Sequence, residues 1–122
     1  MFILKNKYFL LIENIKDINL KNLKKRNKFF IIYRNRNKND KLNGLLKFRQ
    51  KCKSKAIKFY VANDIKLATL LNSDGIYLSS FNQGLNFLHY KKSNFGIIGS
   101  AHNFNEIFQK IKQGCSLILL SK

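Results

Sequence analysis

Apolar runs of strand length recur along the chain at intervals of about twenty residues. Most of the intervals between them carry apolar residues at helical spacing. Strands that alternate with single helices are typical of an α/β domain with a parallel sheet. Several runs are unbroken, such as FFII at 29–32, which indicates a sheet buried on both faces. The predicted strands are Tyr8–Glu13, Phe29–Arg34, Lys58–Ala62, Gly75–Ser79, Gly96–Ser100 and Ser116–Leu120.

Two of the intervals show the helical pattern most clearly. The second of them also has recognisable ends, because Asn103 can cap a helix with Glu106 three residues later, and Gly114 suits the C-terminal stop. The two apolar stripes are Leu42, Leu45, Leu46 and Phe48, and Phe104, Ile107, Phe108 and Ile111.

Six β-α steps in a row fit either an open doubly wound sheet or part of a (β/α)8 barrel. The spacing of the elements does not separate these two folds. With 122 residues, 45% of them hydrophobic, the chain can fill one core, so we expect a single domain over residues 1–122.

The formal net charge of +18 is weaker evidence for nucleic-acid binding than its size suggests. The excess is nearly all Lys, spread along the chain together with abundant Asn, Ile and Phe, and AT-rich codons encode that residue set. The densest run, LKNLKKRNK at 20–28, is typical of a solvated helix face that leads into a strand. Clustered Lys and Arg also attract phosphate backbones, so a basic nucleic-acid-associated protein stays as an alternative.

The two cysteines and the N-terminal stretch favour a cytoplasmic protein. Cys52 and Cys115 have neither CxxC nor metal-ligand spacing, so we expect two reduced core thiols. The stretch MFILKNKYFLLI is interrupted by Lys5 and Lys7 and has no small-residue cleavage site after it. We therefore expect neither a signal peptide nor a membrane span.

Polar side chains follow each apolar run. In both candidate folds the chemistry collects beyond the carboxyl ends of the strands, where loops and helix N-termini meet anionic ligands. We therefore expect these polar residues to share one site. They are Glu13 and Asn14, Arg34 and Arg36, Asn63 and Asp64, Ser79, Ser80 and Asn82, and Ser100 and His102.

Three stretches resemble the thiamine phosphate synthase family, which includes the related thiazole tautomerases. They are IIYRNRN, YVANDIKLATLLNSDGIYLSS and GIIGSAHNFNEIFQKIKQGCSLILLS, and the resemblance covers roughly residues 29 to 122. The strongest parts are SDGIYL and IIGSAHNFNE. The family pattern has a small residue, Asp-Gly, an aliphatic residue, His and Leu in the first, and Ile-Gly-x-Ser-x-His at a helix start in the second. The resemblance implies a TIM barrel, and about six β-α units make it an incomplete one.

The family joins an aminopyrimidine diphosphate to a thiazole phosphate and releases pyrophosphate with magnesium. Basic side chains and a metal suit this chemistry because they stabilise the charge of the leaving diphosphate. The resemblance implies phosphorylated thiamine precursors as partners, with no membrane partner. It implies that Arg34, Arg36 and Asn63 bind the diphosphate, that Asp64 and Asn82 bind Mg²⁺, and that Ser100 and His102 are the catalytic residues.

The sequence also departs from the family pattern. Ile32 replaces a usual Gln and Asn35 a usual Glu, and Asn82 is a neutral, weaker ligand where the family has its second metal-binding Asp. Alignment on Asp74 leaves the preceding interval one residue short, so either Asn63 or Asp64 can occupy the metal position.

The sequence runs only to the sixth predicted strand, so we expect the phosphate-binding segments after strands six to eight to be missing. Six strands cannot close an eight-stranded barrel, and open edge strands favour self-association. We therefore expect a thiamine phosphate synthase-like transferase that is impaired or inactive unless those strands are supplied. The alternatives are a degenerate, non-catalytic family member that binds a phosphate ligand, and the nucleic-acid-associated protein.

Overall fold

The computed structural model describes residues 2–4, 7–23, 28–36 and 38–121. All six predicted strands are present, and their ends differ from the prediction by at most one residue. The strands are β1 (Phe2–Leu4), β2 (Lys7–Ile12), β3 (Phe29–Tyr33), β4 (Lys58–Ala62), β5 (Gly75–Leu78), β6 (Gly96–Ala101) and β7 (Leu117–Leu120), and the helices are α1 (Leu42–Ser54), α2 (Ile65–Leu70) and α3 (Phe104–Lys112).

The strands form one sheet in the order β1-β2-β3-β4-β5-β6-β7. From β2 to β7 every neighbouring pair is parallel, and these six strands form a curled half-barrel with helices between them. The incomplete α/β barrel predicted from the sequence is therefore confirmed.

One edge of the sheet differs from the prediction. Strand β1, which the pattern analysis did not predict, pairs antiparallel with β2, with Phe2 opposite Phe9 and Leu4 opposite Lys7. The expectation of open edge strands is therefore wrong for β2, which pairs with β1. Among the described residues, β7 pairs on one side only, with β6.

The sheet is buried on both faces, as its unbroken apolar runs predicted. On the outer face, Phe59 and its strand neighbours pack against Leu45, Phe48 and Cys52 of α1. The inner face of the curled sheet has a core of strand residues alone: Phe9, Ile32, Tyr60, Ala62, Tyr77, Ile98 and Leu119.

Two of the connections contain less helix than a regular β-α repeat would have. Between β2 and β3 the described residues form two short 3-10 turns, Ile15–Asp17 and Leu20–Asn22. The predicted helix face at 20–28 is therefore not α-helical at its start, and its residues 24–27 lie outside the described part. Between β5 and β6 the chain forms a 3-10 turn at Leu88–Tyr90.

Helix α3 begins and ends as predicted, but its apolar face is not the face that packs against the sheet. Asn103 caps its N-terminus by accepting the Glu106 N–H at 2.9 Å, and Gly114 follows it with a φ of +92°. However, its apolar stripe is largely exposed, whereas Lys110 of the helix and Gln113, which follows its last residue, are buried. Across the described residues, no helix has both the length and the apolar character that a membrane span needs.

Candidate functional site

The carboxyl ends of β3, β4, β5 and β6 meet along one edge of the sheet because these strands are parallel. We call this edge the carboxyl rim. The predicted site residues lie within four residues of the carboxyl end of one of these strands, except Glu13 and Asn14, which follow β2, the parallel neighbour of β3. The fold therefore places all of them at the same end of the sheet. The rim residues are Glu13, Asn14, Arg34, Asn35, Arg36, Asn63, Asp64, Ser79, Ser80, Asn82, Ser100 and His102.

Asn63 is the centre of a hydrogen-bonded cluster on this rim. Its backbone has a φ of +61°, a left-handed conformation that Asn tolerates better than most residues. Its side-chain oxygen accepts the Ser79 N–H at 3.1 Å, the Ser79 hydroxyl at 3.3 Å and the Asn82 amide at 2.9 Å. The cluster ties the turn after β4 to the loop after β5.

Two backbone N–H groups fix the orientation of both amides in this cluster. The Ser79 N–H needs an acceptor, so Asn63 must present Oδ1 to it rather than its NH₂ group. The Gly84 N–H likewise requires Oδ1 of Asn82, at 3.0 Å. Asn82 therefore turns its donor, not its oxygen, towards Asn63.

This arrangement bears on the predicted metal ligands. The Asn63 oxygen already accepts three donors, and the Asn82 oxygen is used by Gly84, so neither amide presents a free oxygen to a hard cation. No group of three or more His, Cys, Asp or Glu side chains suited to a metal occurs among the described residues. Between the two candidates for the metal position, the donor set favours Asp64 over Asn63.

Asp64 itself has a structural role at the start of α2. It is the N-cap residue of this helix, and its Oδ1 accepts the Leu67 N–H at 3.0 Å. The side chain is exposed, and its second carboxylate oxygen has no hydrogen bond to a described residue. One carboxylate with phosphate oxygens from a ligand is a common Mg²⁺ site, so Asp64 alone fits that role.

Ser100 lies on the inner face of the sheet beside a residue that the sequence did not single out. The Tyr77 hydroxyl donates to Ser100 Oγ at 2.7 Å, and both side chains are buried. Because Ser100 accepts this bond, its own hydroxyl hydrogen remains free to donate. Tyr77 occupies the position at which the family pattern in SDGIYL has His, and this was the available signal for it.

His102 lies at the N-terminus of α3 and is paired with Glu106. Glu106 Oε1 accepts the His102 backbone N–H at 2.6 Å and lies 3.1 Å from His102 Nδ1. These hydrogen bonds, the backbone one first, lower the pKa of the Glu106 carboxyl. An ionised carboxylate only accepts, so Nδ1 is the ring nitrogen that carries a hydrogen towards Glu106, and Nε2 is turned away from this pair.

A turn, rather than a strand, carries the two arginines. β3 ends at Tyr33, and the Arg36 N–H donates to the Arg34 carbonyl at 2.8 Å, which closes a three-residue turn. The alternation of a strand therefore does not determine which way the two side chains point. Arg34 is half-buried, whereas Arg36 is exposed and lies 3.9 Å from Glu13 Oε1.

Asp40, which the sequence analysis missed, holds the loop after this turn. Its Oδ2 lies 2.9 Å from the Tyr33 hydroxyl and accepts the Ile15 N–H at 3.0 Å. Burial, then the hydrogen bond to Asp40 and its charge, raise the pKa of Tyr33. The phenol is thus a neutral donor that fixes the β3–α1 loop against the segment after β2.

Two buried polar side chains hold the loop that carries Asn82: Lys110 of α3 and Gln113, the residue directly after this helix. Lys110 Nζ donates to the Asn82 carbonyl and to Gln113 Oε1, each at 2.7 Å. Gln113 donates to the carbonyls of Asn82 and Gly84 at 2.9 and 2.8 Å. Burial lowers the pKa of the Lys110 ammonium. These side chains position the rim loop, and in sequence they are indistinguishable from a solvated helix face.

Comparisons with known proteins find the same fold. A scan against protein-family models and a search of curated protein sequences give no match. A solved structure of thiamine phosphate pyrophosphorylase from Pyrococcus furiosus superposes with a TM-score of 0.70 and 16% sequence identity. The match covers 97% of this chain and 61% of that chain, so this chain spans less than two thirds of its length. Over nearly its whole length, this chain has the fold of thiamine phosphate pyrophosphorylase.

Proposed function

We propose that this chain is a thiamine phosphate synthase-like protein that binds a phosphorylated thiamine precursor at the carboxyl rim. The observation that carries the proposal is the superposition of 97% of the chain on a solved thiamine phosphate pyrophosphorylase. In parallel α/β folds the ligand lies beyond the carboxyl ends of the strands, which is where the predicted site residues lie.

The two arginines are the main anion-binding groups in this proposal. Guanidinium groups bind phosphate oxygens through charge-assisted hydrogen bonds, which are stronger than neutral ones. The Arg36–Glu13 pair is exposed and long at 3.9 Å, so a diphosphate can replace Glu13 at little cost. Arg34 is half-buried, which strengthens its interaction with an anion.

Ser100 and His102 would act on the bound ligand through the atoms that the fold leaves free. The Ser100 hydroxyl hydrogen can donate to a ligand oxygen, because Tyr77 occupies its acceptor side. His102 Nε2 can accept or return a proton, because Glu106 holds the Nδ1 hydrogen. If Mg²⁺ enters with a diphosphate, Asp64 would hold it, and the ion would neutralise part of the phosphate charge.

We further propose that this chain alone makes little or no thiamine phosphate. A thiazole phosphate has to be held in line with the pyrimidine, and a misplacement of ~1 Å costs on the order of a hundredfold in rate. The rim described above offers groups for one anion, the diphosphate. The location that we propose is the cytoplasm, which agrees with two free thiols, at Cys52 and Cys115.

The test combines a binding measurement with a turnover measurement on the purified chain. We expect calorimetry to show weak binding of pyrophosphate, and turnover with both precursors and Mg²⁺ to stay far below about 1 per second. Arg34→Gln/Arg36→Gln should weaken pyrophosphate binding, whereas Lys47→Gln/Lys51→Gln, which removes the same charge from an exposed face of α1, should not.

Three outcomes would contradict this proposal. Absence of phosphate-ligand binding, or equal weakening by both double variants, would show that the rim is not the site. Turnover at about 1 per second or faster would show that the chain is a complete enzyme. Tight, steeply salt-dependent binding of polynucleotides with no effect of either precursor would favour the nucleic-acid alternative.

A further inference from the structure

An open groove lies on the outer side of the sheet, between α1 and the two 3-10 turns that follow β2. Its volume is about 640 Å³, within the range of ligand-binding clefts. In a regular β-α repeat, a helix would connect β2 to β3 and pack beside α1. In the described part of this connection, two short 3-10 turns take the place of that helix, and the groove lies between them and α1.

The floor of the groove is apolar. Phe48 of α1 and Leu20 of the second turn are buried in the outer-face core. Ile15 and Ile18 of the connection are partly buried against the same core and also line the groove. A partner that covers this floor would therefore remove apolar surface from water, which favours binding.

Lysines line both walls of the groove. Along α1 and at its C-terminal end they recur every four residues, so they share one side of the helix and repel each other. Among the described residues, no Asp or Glu lines the groove, and none of these lysines is ion-paired with a carboxylate. They are Lys47, Lys51 and Lys55 on the α1 wall and Lys16 and Lys21 on the opposite wall. We call the apolar floor with these five lysines the lysine groove.

The positions of the lysines indicate the shape of the partner. Lys47 and Lys55 are eight residues apart, so the charges of the α1 wall extend over about 12 Å along the helix. An amphiphile with a single anionic head group would meet these charges at one point only. A nucleic-acid backbone would match the charges, but its phosphates would lose water against an apolar floor.

An amphipathic helix with acidic flanks matches both features of the groove. Its apolar stripe fits the floor, and carboxylates on either side of the stripe reach the lysines of both walls. We propose that the lysine groove binds an acidic amphipathic helix of a partner protein. This inference does not rest on the phosphate ligand proposed for the carboxyl rim.

The two parts of the groove have different roles in this proposal. Exposed ion pairs contribute little affinity individually, so contact with the apolar floor supplies most of the binding. The lysines orient the partner helix and select against basic and neutral helices, because charge complementarity gives specificity more than affinity.

Fluorescence anisotropy with a labelled synthetic peptide tests the proposal on the full chain. The peptide has about 18 residues, with Leu at helical i, i+3, i+4, i+7 spacing and with Glu and Ala elsewhere. A scrambled peptide of the same composition has the same charge but no apolar stripe. At about 0.15 M NaCl we expect a dissociation constant of roughly 1–100 µM for the amphipathic peptide. The scrambled peptide should bind at least tenfold more weakly.

Charge reversal on the chain provides the matched variants. Lys47→Glu/Lys51→Glu should weaken binding of the amphipathic peptide by about tenfold or more, because attraction becomes repulsion on one wall. Lys53→Glu/Lys66→Glu makes the same change in net charge at exposed positions outside the groove and should weaken it no more than about threefold. If the α1 pair loses its helical circular dichroism, Lys16→Glu/Lys21→Glu repeats the test on the opposite wall.

Four results would overturn the proposal. Absence of peptide binding would show that the groove is not a docking site for such a helix. Equal binding of the scrambled peptide, or equal weakening by the two lysine-pair variants, would show that only diffuse charge attracts the peptide. Displacement of the bound peptide by dodecanoate or poly(dT) at a lower concentration than by unlabelled peptide would assign the groove to a lipid or a nucleic acid instead.

Discussion

Charged and polar residues have different roles at the two ends of the sheet. At the amino end, Arg49 and Asp74 are hydrogen-bonded and paired inside the structure, and Asp74 accepts the Phe59 N–H at 2.8 Å. At the carboxyl rim, the arginines are in a turn and one has only a long, exposed pair. The contrast separates residues that stabilise the fold from residues that are free to bind a ligand.

The amino end gives the largest expected loss of stability. Arg49 is buried, its Nε donates to the Asn72 carbonyl at 3.0 Å, and its terminal nitrogen lies 3.4 Å from Asp74 Oδ2. Asp74→Ala leaves this buried charge uncompensated and should lower the free energy of unfolding by about 3 kcal/mol. Urea denaturation measures the change.

Asp74→Asn is the control for that variant. An amide oxygen can still accept the Phe59 N–H, so the loss should be smaller, about 1–2 kcal/mol. Pyrophosphate affinity of the folded variants should equal that of the wild type. A change in pyrophosphate affinity in either Asp74 variant would contradict the distinction between the two ends of the sheet.

The next prediction concerns ligand binding at the rim. Arg34→Gln should weaken pyrophosphate binding by roughly tenfold or more, because a hydrogen bond to a charged group contributes about 1.5–3 kcal/mol. Arg36→Gln should have the smaller effect, since Arg36 is the more exposed of the two arginines. Calorimetry measures both affinities, and urea denaturation should show stabilities within about 0.5 kcal/mol of wild type. A stability loss without an affinity loss would give these arginines the same role as Arg49.

Asn63 stabilises the fold and is also a rim residue. Its substitution should therefore cause an intermediate loss of stability. Asn63→Ala puts a residue with poor tolerance at a φ of +61° and leaves the buried Ser79 N–H without its acceptor. We expect a loss of about 2 kcal/mol in the free energy of unfolding. Asn63→Gly relieves the backbone strain and should lose about 1 kcal/mol less. Equal losses would show that backbone conformation plays no part.

The smallest effect is a pH dependence from Lys110. Burial lowers the pKa of its ammonium below the usual 10.5, so the folded chain releases this proton at a lower pH than the unfolded chain. Between those two values the unfolded chain binds more protons, and the stability contributed by Lys110 rises with pH.

The measurement is the difference in unfolding free energy between wild type and Lys110→Met from about pH 8 to 10.5. The wild type should gain stability relative to Lys110→Met as the pH rises. Burial raises the pKa of Cys52 to about 12, which weakens both proteins alike above pH 9.0 and cancels. Burial also raises the pKa of Cys115, to about 11, and the Lys110 charge counteracts this rise, so the loss of Lys110 adds to the expected trend. Lys112→Met, at an exposed position of the same helix, should show no such trend.

The sequence predicted the fold better than the site because the two depend on different interactions. Unbroken apolar runs such as FFII require burial wherever they occur, so the six parallel strands followed from the pattern. The short strand β1 did not, because Phe2–Leu4 belongs to a basic, apolar stretch that continues into β2.

The site depends on contacts between residues that are distant in sequence. Lys110 is buried because its ammonium reaches the Asn82 carbonyl, which is 28 residues away along the chain. The Asn63 amide orientation is fixed by Ser79, which is 16 residues away. Periodicity carries no information on such pairs, so residue types at strand ends located the rim but not its hydrogen bonds.

The most direct test of the central claim is an NMR titration of the isotope-labelled chain with pyrophosphate. If the carboxyl rim binds the diphosphate, the backbone amide signals that move should belong to residues 34–36, 63–64, 79–82 and 100–102. They should not move in Arg34→Gln/Arg36→Gln. Shifts spread over the exposed lysines of α1, or shifts that persist in the double variant, would show that pyrophosphate binds the basic surface at large and would contradict a site at the rim.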